Sequence, residues 1–381
     1  MSSPRVRKGP VVEAYDEDHA SALDESAPNL DPADDKVAVR HVADPGELIA
    51  AIPGMLGFCP TLSLVVASLG THPDKDDVQV IGALTRFDID SAADPAEARG
   101  LARLLESVRQ CRNTSSTIVV VIDDRPTGST NAEHLLRHLS QAGIEPSHAW
   151  WVTQIATDVE YQDLFHRGRD GTVSDPRAST VAFARVLDGH PIYAARHELT
   201  DLLDSDPVLA QQVWPYRGWA VVRYRDDLAA ARTPDRVRDH RRDRILWVLS
   251  QVSTAEEKRP SPQDLAMVAA LLRDRTIRDI MYGLARSEHH GAAEALWRQI
   301  ASATDGLDRA EAATLFAYSS YHHANTVLAG IAIATALDAE PTHAIAQLLA
   351  IALDEHLPPE KIQGMAEAGI SIAANLGIDI T

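Results

Sequence analysis

The densest set of chemically capable side chains follows a short apolar run. Residues 117–122 (TIVVVI) are apolar from Ile118 onward, and Asp123, Asp124 and the segment Arg125 to Asn131 come directly after them. A strand apolar on both faces is a central strand of an α/β sheet, and ligands of such sheets favour the carboxyl ends of the strands. Two carboxylates there offer oxygen ligands to a divalent cation, and hydroxyls at a helix N-terminus suit an anion. Asp123, Asp124, Ser129 and Thr130 are therefore the ligand-binding candidates. The loop has neither G-x-G-x-x-G spacing nor a Gly-Lys-Ser/Thr ending, so it specifies no nucleotide cofactor. Acids and hydroxyls also cap helices and solvate loops, which is the plainer account of the same residues.

The histidines form three pairs. His134 and His138 lie four apart on one predicted helix face, a zinc-binding spacing, yet no third ligand is identifiable and Glu133 precedes the pair. His289-His290 and His322-His323 fall near predicted helix junctions; adjacent rings on a helix diverge, so neither doublet chelates alone. They read as surface or junction residues. Ser63 has no G-x-S-x-G around it, and Cys59 and Cys111 are too few for a disulfide framework or a cysteine-rich zinc site. No catalytic residue, no metal ligand and no cofactor is assigned. Trp150-Trp151 alternate faces on a strand, one for the core and one for a second surface.

Strands and helices must position these groups. Residues 37–42 alternate as a strand, Asp44-Pro45 caps a helix, and residues 63–69 and 78–89 read as a strand pair. Asp94-Pro95 opens a helix with Leu101, Leu104, Leu105 and Val108 on one stripe. Residues 131–142 form another, closed by Gly143, and 149–155 a further strand. Residues 180–187 and 197–203 read as helices around a Gly189-His190-Pro191 break. The first half is thus an α/β domain, a mixed sheet with flanking helices, over residues 36–215.

Residues 1–35 carry nine acids against three bases and no sustained apolar period, the composition of a disordered acidic leader. Residues 216–260 read as a charged connector; nine Arg and five Asp between 217 and 244 suggest a salt-bridged solvent face. From 261 to 381 the apolar period is helical throughout, with starts at Ser261-Pro262, at Asp308 three before Glu311, and at Pro358-Pro359. A shift of about 35 residues matches Ile280 to Leu315, Ala301 to Ala336 and Gly306 to Pro341. With Phe316, Ala329 and Ile333 this predicts an all-α, tetratricopeptide-like domain.

The chain of 381 residues has 55 acids against 36 bases, which argues against nucleic-acid binding and against a polybasic membrane surface. Its longest apolar stretch, 327–337, is too short to span a bilayer, and acids stand where a signal peptide needs apolar residues. A reducing cytoplasm is the expected compartment. Residues 276–381 hold thirteen acids and five bases beside the arginine-rich connector, which suggests internal electrostatic docking or a basic protein partner.

Residues 53–66 (PGMLGFCPTLSLVV) resemble the P-x-x-L-G-F-x-P-x-x-S-L-V signature of DUF4192, an actinobacterial family of unknown function. Asp175-Pro176-x-x-Ser179, Arg196, Arg278-Asp279, Trp297, Asp338-x-x-Pro341 and Leu357-Pro358-Pro359 follow in the family's order. Tyr321 to Asn325 departs from the Gly/Asp-rich turn associated with the family. The resemblance implies an intracellular two-part protein and no activity. Within the signature, Pro53, Gly57, Phe58, Pro60 and Ser63 read as a helix-to-strand corner, with a ligand rim through Ser63 as the alternative. The expected function is a scaffold with a protein partner or self-association through 261–381. The alternative is a small-molecule binder or enzyme, for an anion, nucleotide or metal, seated at 117–135.

Overall fold

A computed structural model describes residues 12–17, 37–42, 44–72, 75–92, 99–100, 102, 114–166, 168–187, 191–255, 258–355 and 357–380. The chain divides into two units, Met1–Arg196 and His197–Thr381. The helix expected over 94–108, Cys111, and the break at 189–190 lie almost wholly outside the described residues.

In the first unit, β1 (Val12–Glu17), β2 (Val37–Val42), α1 (Pro45–Leu56), β3 (Ser63–His72), β4 (Lys75–Asp88) and the one-turn α2 (Ile89–Ala92) come first. Then follow β5 (Thr114–Ile122), α3 (Gly128–Gln141), β6 (His148–Val152), β7 (Glu160–Asp163), β8 (Gly171–Thr172) and α4 (Thr180–Leu187). The strands form one mixed sheet in the order β2-β1-β4-β3-β5-β6-β7-β8. Residues 12–17 belong to the stretch expected to be disordered. Backbone pairing with β2 and β4 carries them into the sheet, a contribution that composition does not register.

Side-chain alternation along β3 and β5 decides the layers. Leu64, Val66, Val119 and Val121 face α3, where Ala132, Leu135 and Leu139 close a core with Ile89, Ala92 and Ala149. Trp151 packs on this face, whereas Trp150 points the other way and stacks its ring on His148. The strand β5 and β6 pair is parallel, joined through α3, and every other pair in this half of the sheet is antiparallel.

The signature at 53–63 is a corner. Asp44 accepts from Gly46 N and starts α1; Gly57, at φ 81°, ends it, its N–H bonding Pro53 O. Phe58 then plugs the interior, and the backbone clips to Tyr193 through Cys59 N to Tyr193 O and Tyr193 N to Gly57 O. Pro60 is buried in the same turn.

The second unit holds α5 (Arg196–Asp201, beginning at the unit boundary), α6 (Pro207–Ala230), α7 (Pro234–Thr254), α8 (Pro262–Leu272), α9 (Arg275–Met281) and a 3-10 turn (Tyr282–Arg286). After these come α10 (His290–Ala303), α11 (Gly306–His322), α12 (Thr326–Ala339), α13 (Ala344–Asp354), a 3-10 turn (Pro359–Lys361) and α14 (Gly364–Asn375). Ser261 caps α8 through Asp264 N, as its Pro262 predicts. Other expectations are corrected. Of the expected connector over 216–260, residues 216–230 lie in α6 and 234–254 in α7, and the two helices pack on α8 and α10 of this unit. Asp308 is no cap, since α11 starts at Gly306. Pro358-Pro359 opens the 3-10 turn ahead of α14.

The arginines explain the first correction. Arg217 bonds Asp308 Oδ2 at 3.1 Å and Asp305 Oδ1 at 2.7 Å. Arg241 Nε donates to Asp274 Oδ2 at 3.0 Å, where Tyr224 Oη also donates. Arg238 and Arg242 donate to the carbonyls of Asn375 and Leu376. These partners are remote in sequence, so the stretch looks solvated when read alone.

At the corner, Ala at Gly57 would carry a Cβ into the Arg185 guanidinium at a left-handed φ. Gly143, at φ 89°, has open space where its Cβ would be. Gly57→Ala and Gly143→Ala should each cost about 1–2 kcal/mol for the left-handed φ, measured by urea unfolding, since the Arg185 guanidinium beside Gly57 is the end of a side chain that can give way. A loss at Gly57 well above that at Gly143 would show that Arg185 is fixed in place.

Candidate functional site

Register brings the two motifs singled out in the sequence to one end of the sheet. Ser63 opposes Ile122 on one side and Asp88 on the other, so the corner and the Asp123–Asn131 loop are neighbours. Two arginines serve this end. Arg86 Nε donates to Ser63 Oγ at 2.8 Å, and its NH2 reaches Asp88 at 2.6 Å. Ser63 Oγ in turn donates to Thr61 O at 2.7 Å. The hydroxyl is wholly buried and spent in both directions.

Asp123 is spent in the same way. Its side chain is wholly buried. Oδ1 accepts from Arg125 N at 3.0 Å and Arg125 Nε at 2.8 Å; Oδ2 accepts from Arg125 NH2 at 2.9 Å and Asn131 Nδ2 at 3.0 Å. Its carbonyl takes the Trp151 indole N–H at 3.1 Å. Burial alone would raise this carboxyl, but the bonds from Arg125 and Asn131 outweigh it and hold it below the ordinary range. Arg125 NH1 also meets Asp90 at 2.8 Å, and Asp90 is 77% exposed.

The remaining candidates are dispersed. Asp124 and Thr130 are exposed, and Ser129 Oγ donates to Gln162 Oε1 at 2.8 Å. Asp123 and Asp124 therefore do not converge on one cation. His134 is exposed and His138 half-buried on α3. Among the described residues, no three His, Cys, Asp or Glu side chains are grouped to hold a metal. What the loop can do chemically is brace itself: Arg125 and Asn131 fasten the end of β5 to the start of α3.

The helical unit holds a second set of polar groups. Along α11, Glu311 Oε1 meets Arg278 at 3.1 Å and Oε2 meets His343 Nε2 at 3.2 Å. His343 Nδ1 accepts Ala346 N, capping α13, and its Nε2 lies beside Glu311. The two histidine doublets meet through one member each: the rings of His290 and His323 stack at 4.3 Å. Their Nδ1 atoms lie 3.2 Å from Ser287 O and 2.9 Å from Ser319 O. One turn beyond His290, Glu294 is buried, facing Ser319. Sequence spacing of i and i+4 could have placed His290 with Glu294 and Ser319 with His323; nothing in either helix pairs the two faces.

Burial pushes the Glu294 carboxyl above its ordinary range, against the Ser319 hydroxyl and the charges of His290 and Arg298, which act the other way. The outward face of the unit differs in kind. On α6, Val208, Trp214, Trp219 and Val222 are exposed, Trp214 by 65%, with Arg217 over the Trp214 ring. On α13, Leu348 and Ile351 are exposed.

Asp123→Ala should cost about 3–4 kcal/mol in urea unfolding, since it strands Arg125 and Asn131, whereas Ser129→Ala should cost about 1 kcal/mol. Comparable losses would show that Asp123 is not the brace. A raised native carboxyl stabilises the fold at low pH and loses that contribution as pH rises through its native value. Glu294→Gln should accordingly match the parent Tm near pH 4 and exceed it at pH 8; a Tm difference independent of pH would overturn this account.

The family model described as Domain of unknown function (DUF4192) matches residues 45–360. No curated protein and no solved structure matches the chain.

Proposed function

We propose, for a chain that belongs to the DUF4192 family and inherits no assigned activity from it, a non-enzymatic role in binding another protein through its helical unit. The carrying observation is the outward apolar face of α6, where two indoles and two valines stand in water. Contiguous exposed apolar surface with aromatic anchors is the composition of a protein contact. The exposed Leu348 and Ile351 of α13 add a second such stretch.

The repeat spacing supports a tetratricopeptide-like arrangement of the helices. Positions matched by the shift of about 35 residues are matched in burial: Ile280 with Leu315, and Ala301 with Ala336, all lie in the interior. Gly306 begins α11 and Pro341 precedes α13, so the matched breaks fall at helix starts. Small residues at these sites let helices approach closely.

Other readings draw less support. Arg217, Arg238, Arg241 and Arg242 turn onto carboxylates and carbonyls of their own unit, which is not how a phosphate-reading arm spends its charge. A small-ligand seat at 117–135 would have to compete with four internal donors for Asp123. Among the described residues no helix is long and apolar enough to cross a membrane, and the cytoplasm is the proposed compartment.

A photo-crosslinking residue placed at Trp219 or Ile351 in growing cells should give discrete adducts with a protein identified by mass. The Trp219 adduct should disappear on adding Val222→Glu, and a crosslinker at Glu145 in the first unit should give none. Absence of adducts at both helical positions would refute the reading.

A further inference from the structure

The first half of α7 is held in place without an apolar side of its own. The buried residues of this helix are Ile245, Val248 and Val252; from Pro234 to Arg244 each residue is exposed or half-buried. Polar ties seat these turns instead. Arg241 donates to Asp274 Oδ2 at 3.0 Å, where Tyr224 of α6 also donates at 2.8 Å, while Asp274 Oδ1 accepts Thr276 N and starts α9. Asp227 of α6 pairs with Arg223 at 3.1 Å and with Arg244 of α7 at 3.6 Å. Between these ties the His240 ring stacks on Tyr224, with centroids 5.8 Å and planes 20° apart. A half-helix seated by polar contacts opens locally more easily than one with a buried stripe.

His240 is the titratable ring at this junction, and its surroundings suit the uncharged form. Its Nε2 is buried and has no hydrogen-bond partner among the described residues. A neutral imidazole leaves one lone pair or one N–H unmet there; an imidazolium carries a proton on both nitrogens and a full charge besides. The neighbouring acids are already engaged, Asp227 by two arginines and Asp274 by Arg241, Tyr224 and the α9 cap.

The charges acting on the ring come from Arg244 and Asp243 of its own helix and Asp227 of α6, and none of α10, which also packs on α7, is among them. Asp243 is exposed, so its attraction is screened by solvent. The phenol face of Tyr224 attracts a cation. Burial first and Arg244 next nevertheless hold the imidazole below the ordinary histidine range.

We propose that the junction of α6 and α7 is a proton-sensitive latch, closed while the His240 ring is uncharged and opened when that ring takes up a proton. The proton comes from water and adds to whichever ring nitrogen lacks one; no other covalent bond changes. The added positive charge lies beside Arg244 and withdraws the ring from Tyr224, which frees residues 234–244. Ile245, Val248 and Val252 keep the rest of α7 seated.

A base whose charged form the fold disfavours stabilises it above the unfolded histidine value of about 6.5 and loses that contribution as pH falls further. Hydrogen exchange of the full chain, corrected for the intrinsic rate, should therefore show residues 234–244 losing protection below that pH while α12 keeps its own. His240→Phe retains a ring on Tyr224 and accepts no proton, so this acid-dependent loss should vanish. Arg244→Gln removes a like charge together with the Asp227 pair; it should loosen 234–244 near neutral pH yet shrink the acid-dependent loss. A His240→Phe chain as acid-sensitive as the parent, a larger acid-dependent loss in Arg244→Gln, or protection lost evenly through α12 would each overturn the latch. Should His240→Phe fail to fold, the Arg244→Gln profile decides alone.

Discussion

A helix buried on every side must draw partners for its charged and phenolic groups from the elements around it, and α11 is the helix on which that demand falls hardest, though Ser320 Oγ stays without a hydrogen bond among the described residues. From Ala310 to Tyr321 it is entirely buried. Its solution is to draw partners from the rest of the unit. Asp308 takes Arg217 from α6 and Arg273 from the end of α8; Glu311 takes Arg278 from α9 and His343 from the start of α13. Tyr318 and Tyr321 carry the same logic to the C-terminal region. Tyr318 Oη donates to Ile362 O and accepts Ala366 N, and Tyr321 shares its one O–H between Ala352 O and Leu357 O. Removing one partner of a buried ion pair is costly because the other charge stays behind. The helices are thus committed to one arrangement by the polar residues, while the alanines supply closeness without preference.

This also explains the distribution of charge. The acidic surplus of the C-terminal half and the arginine surplus of 217–244 are two halves of one internal account. Asp274 and Asp308 each accept from arginines that lie in α6 or α7. A net total cannot show this, since both signs cancel in it. Once Arg217 and Tyr224 have turned inward, what α6 leaves outward includes Val208, Trp214, Trp219 and Val222.

Much of the fold was legible because it rests on local chemistry. Asp44-Pro45 and Ser261-Pro262 are caps that any reading of helix starts finds, and Ile118 to Ile122 is buried on both faces as its composition requires. The misreadings share one cause: a partner far away in sequence. Asp308 looked like a cap because Glu311 stood three residues on, yet its bonds go to Arg217 and Arg273. Residues 216–260 looked like a linker because their acids lie up to 91 positions distant. Asp123 is a local case: Arg125, two residues away, is visible in the sequence, but the return of its guanidinium onto that carboxylate is not.

The signature at 53–63 and the loop at 123–131 meet at one end of the sheet, and each of their buried polar groups is already satisfied. Ser63 is held by Arg86 and Thr61, Asp123 by Arg125 and Asn131. In both pairs an arginine joins a buried group to an exposed aspartate, Asp88 or Asp90. A binding site needs unfilled hydrogen-bonding capacity, whereas a joint needs it filled. The recurrence of one design at two adjacent strand ends therefore argues for a joint: it fixes where α1 enters β3 and where β5 leaves for α3. On this account the most distinctive residues of the first unit hold its layers in register.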